Sequence, residues 1–372
     1  MAKRAIFEDV SGTRGEARPK AAGARPPARA AISAWLWLLA GLVALMVLVG
    51  GLTRLTDSGL SITVWEPVMG AIPPLSQADW DAAFAAYKET EEFRTQNSWM
   101  TLEDFKPIYW WEWGHRFLGR LIGVVWAAGL LWFLARGTIP RGWTARLVLP
   151  GLLGGVQGAI GWWMVHGGLD ALDVPSYRLA THLGLAFVIF GLLVWYALRI
   201  GLDEVETLQA RRRREGAVMN WTGVLAGVAF LQIVTGALVA GIDAGRSYVD
   251  WPLMQGQWFP AGAFELQPLW RNFFEDAGLV QFVHRMLGYA LVLLGLAVAW
   301  RAARPGIVAL RFWGRMAALA LLAQMAIGIV TVMNAAPLEL AILHQAGALA
   351  VMAIALRARF AAAYPPAQKI TA

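Results

Sequence analysis

Eight apolar runs, each about as long as a bilayer is thick, dominate this chain of 372 residues. They lie at roughly 31 to 52, 116 to 136, 146 to 166, 178 to 198, 219 to 241, 280 to 300, 312 to 333 and 338 to 357. A helix rises 1.5 Å per residue, so about 20 such residues cross a hydrocarbon layer of about 30 Å. A helix also satisfies its own backbone N–H and C=O groups, which lipid cannot do for it. The composition agrees, with 58% hydrophobic and 15% charged residues and a mean hydropathy of +0.51. Lipid is the solvent of this chain, and an all-α integral membrane protein is its expected fold. Twenty Trp residues suit aromatic belts at both membrane surfaces.

Charge sets the orientation. Residues 1–30 carry seven basic side chains from Lys3 to Arg29 and no apolar stretch, which reads as a disordered tail. The run that follows is long enough to span, so a cleaved signal is disfavoured, and Glu8, Asp9 and Glu16 argue against a mitochondrial transit peptide. Placing the tail in the cytoplasm also puts inside Arg136, Arg141 and Arg146, Arg199 and Arg211 to Arg214, Arg301, Arg304, Arg311 and Arg315, and Arg357 and Arg359. Every inside segment is then basic, as the positive-inside rule requires. Both termini are expected in the cytoplasm, across a bacterial inner membrane. The net charge of +7 follows from this topology and calls for no nucleic-acid partner.

The outer connection from about 55 to 114 instead holds ten acidic residues against Lys88, Arg94 and Lys106. Within it, Ser76 to Phe93 has a capping Ser before alternating apolar and charged positions, which predicts a short helix on the outer surface. The corresponding connection at about 242 to 279 is shorter and rich in Trp and Pro.

The chain repeats itself. Gly50, Leu52, Asp57, Gly59, Ser61, Trp65 and Gly70 match Gly236, Leu238, Asp243, Gly245, Ser247, Trp251 and Gly256 at a spacing of 186. His115, Arg116, Leu118 and Gly119 recur 169 positions later as His284, Arg285, Leu287 and Gly288, and Gln157 recurs 167 positions later as Gln324. The spacing changes because the first outer connection is longer. Four spans per repeat is an even number, so two tandem four-helix repeats share one orientation and are related by a pseudo-two-fold axis along the membrane normal. The expected domains are the tail 1–30, an N-terminal half 31–200, a basic linker 201–218, a C-terminal half 219–360 and a second cytoplasmic tail 361–372.

Each repeat contributes two histidines. His115, His182, His284 and His344 all fall in the first one or two turns of spans that enter from the outer side, so they share one level near the outer face. One membrane histidine is more often a packed residue than a ligand, but four in register, two per repeat, suit a purpose. A pair of imidazoles from facing helices is what a six-coordinate haem iron needs, and cysteine, absent from this chain, is not required. The natural pairs are His115 with His182 and His284 with His344. Zinc would be short of ligands unless Glu112 joined, and a proton relay on single histidines would not need pairs.

Arg116 and Arg285 follow their histidines directly, where they can pair with haem propionates or snorkel to lipid phosphate. Arg120 sits one turn deeper and needs a partner more. Glu112 stands three residues before His115 and shares its helix face, whereas the second half has the neutral Gln281 there. A carboxylate beside one site and an amide beside the other suggests that one does chemistry and the other electron transfer. Glu112 as a hydrogen-bonded interfacial residue is the plainer reading. His166, matched by Met333, reads as structural or solvated.

Taken together, GGLTRLTDSGLSITVWEPVMGAIPPL at 50–75, FKPIYWWEWGHRFLGR at 105–120, THLGLA at 181–186, VHRMLGY at 283–289 and LHQAGA at 343–348 resemble haem A synthases, over nearly the whole chain after the tail. The resemblance implies an oxidoreductase that oxidises the C8 methyl of haem O to a formyl group for cytochrome oxidase, through an alcohol and then a hydrated aldehyde. It implies that His115 and His182 border the substrate haem O, that Glu112 is the essential carboxylate, and that His284 and His344 ligate a resident haem B. The chain resembles the branch without the outer-loop cysteine pair. Expected partners are the bilayer, haem O synthase or cytochrome oxidase assembly factors, and a possible second copy of the chain. A bis-histidine dihaem cytochrome for quinol-linked electron transfer would use the same histidines without needing Glu112. A transporter with parallel repeats would instead place its site at the bilayer midplane.

Overall fold

The computed structural model describes residues 27–66, 69–166 and 174–367. Regular structure among them is helical, apart from one isolated bridge between Met254 and Gln257. The helices are α1 (Pro27–Leu55), α2 (Gln77–Lys88), α3 (Glu91–Thr95), α4 (Leu102–Ala135), α5 (Thr144–His166), α6 (Ser176–Ile200), α7 (Glu204–Arg212), α8 (Gly216–Gly241), α9 (Asn272–Glu275), α10 (Ala277–Ala303), α11 (Val308–Met333) and α12 (Leu338–Ala363). Eight of them, α1, α4, α5, α6, α8, α10, α11 and α12, are long and apolar enough to cross a membrane. The protein is therefore multi-pass.

Seven spans begin within a few residues of their apolar runs, but the second does not. α4 starts at Leu102 rather than near 116, because Thr101 caps it and Asp104 returns the bond, its carboxylate accepting from the Thr101 backbone N–H at 3.0 Å. Its first turns stand clear of the apolar stretch and rest on a small core of Phe84, Tyr87, Phe105, Ile108 and Tyr109. There the Phe105 ring stacks on Tyr87 with centroids 5.2 Å apart.

The helix expected over 76–93 is two helices. Ser76 and Asp79 form a reciprocal capping box at the start of α2, and the Ser76 hydrogen bonds hold the Asp79 carboxyl below its ordinary pKa. α2 stops at Lys88, and Thr90 caps α3. Burial, reinforced by Glu92, pushes the Tyr87 hydroxyl well above its usual pKa, and that hydroxyl donates to Glu92 Oε1 at 2.7 Å. The predicted tail lies outside the described residues as far as 26, and α1 takes up 27–30. In the linker, α7 is capped by Asp203, while α12 runs on to Ala363 and 368–372 lie outside the described residues.

α1, α4, α5 and α6 form one group of packed helices, and α8, α10, α11 and α12 form another. Leu36, Leu39 and Val43 of α1, Phe187, Leu193 and Ala197 of α6, and Leu349 and Met352 of α12 fill the larger core, which ties the two groups together. Leu225, Leu291, Val298, Leu321 and Ala355 fill the second group. Lipid tails are as apolar as these side chains, so close packing rather than escape from water holds the helices together. The arrangement fits a tandem repeat. The matched residues Asp57 and Asp243 both adopt a left-handed backbone, with φ of 49° and 50°. Arg54 joins them, pairing with Asp57 at 2.8 Å and Asp243 at 2.9 Å.

Candidate functional site

The four histidines form two pairs, each drawn from two facing helices. His115 of α4 meets His182 of α6 with ring centroids 6.4 Å apart, and His284 of α10 meets His344 of α12 at 6.5 Å. His182, His284 and His344 sit in the first two turns of their helices, as expected. His115 lies almost four turns into α4, because that helix begins early. Two imidazoles ligating one iron from opposite faces stand with ring centres roughly 6 Å apart, given metal–nitrogen bonds of about 2 Å and the radii of the rings. Both pairs fit. Among the described residues no cluster of three or more His, Cys, Asp or Glu side chains is able to hold an ion unaided. A pair suits a metal that brings its own in-plane ligands.

Each imidazole is backed by a glycine on the neighbouring helix. A Cβ on Gly50 would come within 3.0 Å of His115, on Gly161 within 3.3 Å of His182, on Gly236 within 3.0 Å of His284, and on Gly328 would collide with His344. These glycines match at the repeat spacings, so in both halves an α-carbon is the wall behind the ring. Gln157 donates to the His182 carbonyl at 2.9 Å and Gln324 to the His344 carbonyl at 2.7 Å, fixing the level of each ligand-bearing turn. Gln324 Nε2 also lies 3.2 Å from His344 Nδ1.

The halves differ around the other histidine. Thr235 Oγ1 stands 3.0 Å from His284 Nδ1, and Gln232 Nε2 stands 3.2 Å from it and 3.1 Å from the His284 carbonyl. The matching positions beside His115 are Met46 and Val49, which have no such group to offer. The repeat alignment carries this asymmetry, but the partner of Gln232 and Thr235 emerges only in the fold, because His284 lies 52 and 49 positions away in sequence.

Glu112 is buried and fully engaged. One oxygen accepts from Ser61 Oγ at 2.7 Å and from the Ile62 backbone N–H at 2.6 Å, while the other pairs with Arg116 at 2.5 Å. Arg116 also donates to the carbonyls of Ile62 and Val64 and lies over the Trp65 ring. The carboxylate thus clamps the outer connection onto α4 one turn before His115. Gln281 occupies the matching buried place with opposite polarity, its amide donating to the carbonyls of Ala244 at 2.9 Å and Tyr248 at 3.1 Å.

Arg285 repeats Arg116, donating to the carbonyls of Tyr248 and Leu253, and its Nε is buried without a hydrogen-bond partner. Arg120 finds the Glu66 carbonyl at 2.7 Å. His166 ends α5, exposed and stacked on Trp162, away from the pairs.

The chain matches the model of the COX15-CtaA family, described as cytochrome oxidase assembly protein, over residues 33–356. It is 56% identical over 375 residues to a protein of Dinoroseobacter shibae named heme A synthase, covering 99% of this chain and 98% of that one. A heme A synthase of Ruegeria pomeroyi is 56% identical over 99% of each chain. One of Paracoccus denitrificans is 51% identical over 98% of this chain and 97% of its own.

Proposed function

The chain belongs to the COX15-CtaA cytochrome oxidase assembly family, and from that premise we propose how its two halves divide the oxidation of haem O. The activity is that of an oxidoreductase converting haem O to haem A, and it uses a haem cofactor. Two imidazole pairs on one plan, one beside a carboxylate and the other beside an amide, carry the division. His115 and His182 bind the substrate haem O in the first half. His284 and His344 hold a resident haem B in the second, where its iron supplies one-electron redox chemistry. An electron-transfer cytochrome would leave the difference between Glu112 and Gln281 without a purpose, and the comparisons do not support one.

Glu112 stands one turn from His115, where its charge stabilises a cationic centre developing on the oxidised carbon and accepts a proton as water adds. Arg116 pairs with that carboxylate and holds it in place. The buried Nε of Arg285 is a donor suited to a propionate. The histidine end of the bundle faces away from the cytoplasm and the arginine-rich end toward it, both termini lie inside, and the membrane is a bacterial inner one. Haem O synthase is the expected donor and the assembly factors of cytochrome oxidase the expected acceptors. The test is to express the chain with a source of haem O, extract the non-covalent haems and identify them by chromatography and mass. Haem B together with haem O, its alcohol or haem A is expected, whereas two equivalents of haem B alone would refute the division.

A further inference from the structure

The two helix groups do not pack equally well. In the second, α10 and α11 lie close along their length, because Gly295 of α10 receives Leu321 of α11 with no room for a Cβ. In the first, the residue matching Gly295 is Trp126, whose indole lies against Gly151 and donates to the Leu147 carbonyl at 2.9 Å, so α4 and α5 touch little elsewhere. Toward the histidines an open groove of about 420 Å³ runs between Trp65 and the exposed face of α5 formed by Gly155, Gly158, Ala159 and Trp162. That volume is within the usual range for a small-molecule cleft. The second half carries larger side chains at the same register: Leu322 stands at the place of Gly155 and Met325 at the place of Gly158.

Both walls of the groove connect to the first imidazole pair through a neighbouring residue. Gly161, one turn beyond Gly158, backs His182, whose Nδ1 is buried and has no hydrogen-bond partner. The opposite wall, Trp65, lies over Arg116, the neighbour of His115. The two halves therefore offer similar imidazole clamps, and beside the first lies an apolar groove open toward lipid.

We propose that this groove is the subsite for the isoprenoid tail of the substrate, a prenylated porphyrin whose ring lies between His115 and His182. The inference rests on the reading of the first half as the haem O site. Haem O differs from haem B by a hydroxyethylfarnesyl chain in place of a vinyl group, and the halves differ by two glycines against Leu322 and Met325 along an apolar groove. Lipid solvates such a chain as well as Gly155 and Gly158 do, so the groove selects by shape rather than by hydrophobicity. A side chain placed in it excludes the tail and leaves the ring site alone.

The second half supplies the test substitutions. Cβ atoms at Gly155 and Gly158 meet nothing within 4 Å, so Gly155→Leu and Gly158→Met enter open space, and each also improves helix propensity. The wild type and the double variant are purified from cells making haem O, their haems are extracted and quantified, and each protein is titrated with haem O and with tail-less haem B by Soret absorption. The expected result is a loss of prenylated haem of about tenfold or more in the double variant. Resident haem B and uptake of tail-less haem at the first site should stay at wild-type levels, which also certifies the fold. Prenylated haem retained at the wild-type ratio would overturn the subsite, as would equal loss of prenylated and tail-less haem. A wild type that takes up no prenylated haem would instead overturn the assignment of the first half.

Discussion

Replacing Glu112 by Gln changes one atom type and reverses the logic of its pocket. The carboxylate accepts from three donors, Ser61 Oγ, the Ile62 N–H and Arg116. An amide has one oxygen, and if it stays on Ser61 and Ile62 its nitrogen must face the Arg116 guanidinium, donor against donor. Removing one partner of a buried ion pair costs about 3–5 kcal/mol. Arg116 keeps two carbonyls and the Trp65 ring, so the lower end, about 3 kcal/mol, applies. That cost falls on the outer connection around 61–66 and spares the helix bundle. The purified Glu112→Gln protein is therefore expected to retain its second-half haem, to melt earlier, and to accumulate haem O without haem A when extracted and chromatographed. A companion, Ser61→Ala, removes a charged hydrogen bond worth about 1.5–3 kcal/mol while keeping the carboxylate. It loosens the same connection but is expected to make haem A. Normal haem A in Glu112→Gln would refute a chemical role for the carboxylate, and equal inactivity of Ser61→Ala would reassign Glu112 to holding the loop.

The mirror change, Gln281→Glu, puts a carboxylate against the carbonyls of Ala244 and Tyr248 and confers no activity. It is expected to lower the melting temperature followed at the haem absorption, and an unchanged melt would contradict the polarity of that pocket. Converting Gln232→Met and Thr235→Val gives His284 the surroundings of His115. Haem should leave the second half about 10–100-fold faster, as with other outer partners of metal-bound histidines, with altered electron paramagnetic resonance g-values, whereas unchanged dissociation and spectra would exclude the positioning role. In the outer connection Asp250 accepts from the backbone N–H of Gln255 at 2.8 Å and Gly256 at 3.0 Å, which keeps its carboxyl below its ordinary value. A depressed carboxyl stabilises fully above the unfolded pKa of about 3.9 and loses that contribution as pH falls through the folded value. Amide protection at Gln255 and Gly256 should therefore hold at neutral pH and drop in strong acid, and protection independent of pH would count against the assignment.

The spans were legible because lipid imposes length and hydropathy on each helix independently, and the histidine pairs because a duplication shows each pair of histidines twice. The start of α4 was not, since Leu102 to Gly114 is helical through capping by Thr101 and packing on Phe84 and Tyr87, and hydropathy registers neither. Glu112 was found from its spacing to His115, but Ser61 as its partner required the fold, because the contact joins residues 51 positions apart. Gln232 and Thr235 stayed hidden for the same reason. A polar residue on an apolar helix shows that it needs a partner without showing which one.

Duplication makes each half a control for the other. The glycines behind the imidazoles and the arginines on loop carbonyls are common to both, so on the proposed reading they serve whatever tetrapyrrole each half holds. What differs has to account for what the halves do differently. His284 meets Gln232 and Thr235, whereas the first half has Met46 and Val49 at the matching positions, a difference that on the proposed reading suits a cofactor that stays and a substrate that must leave. Glu112 stands where the second half has an amide, which on the proposed reading is where a carbon is oxidised. Gly155 and Gly158 stand where the second half has Leu322 and Met325. A site that turns over needs an exit as well as a clamp, and if the groove beside α5 takes the tail, that exit lies within the membrane, where an apolar chain has no reason to enter water.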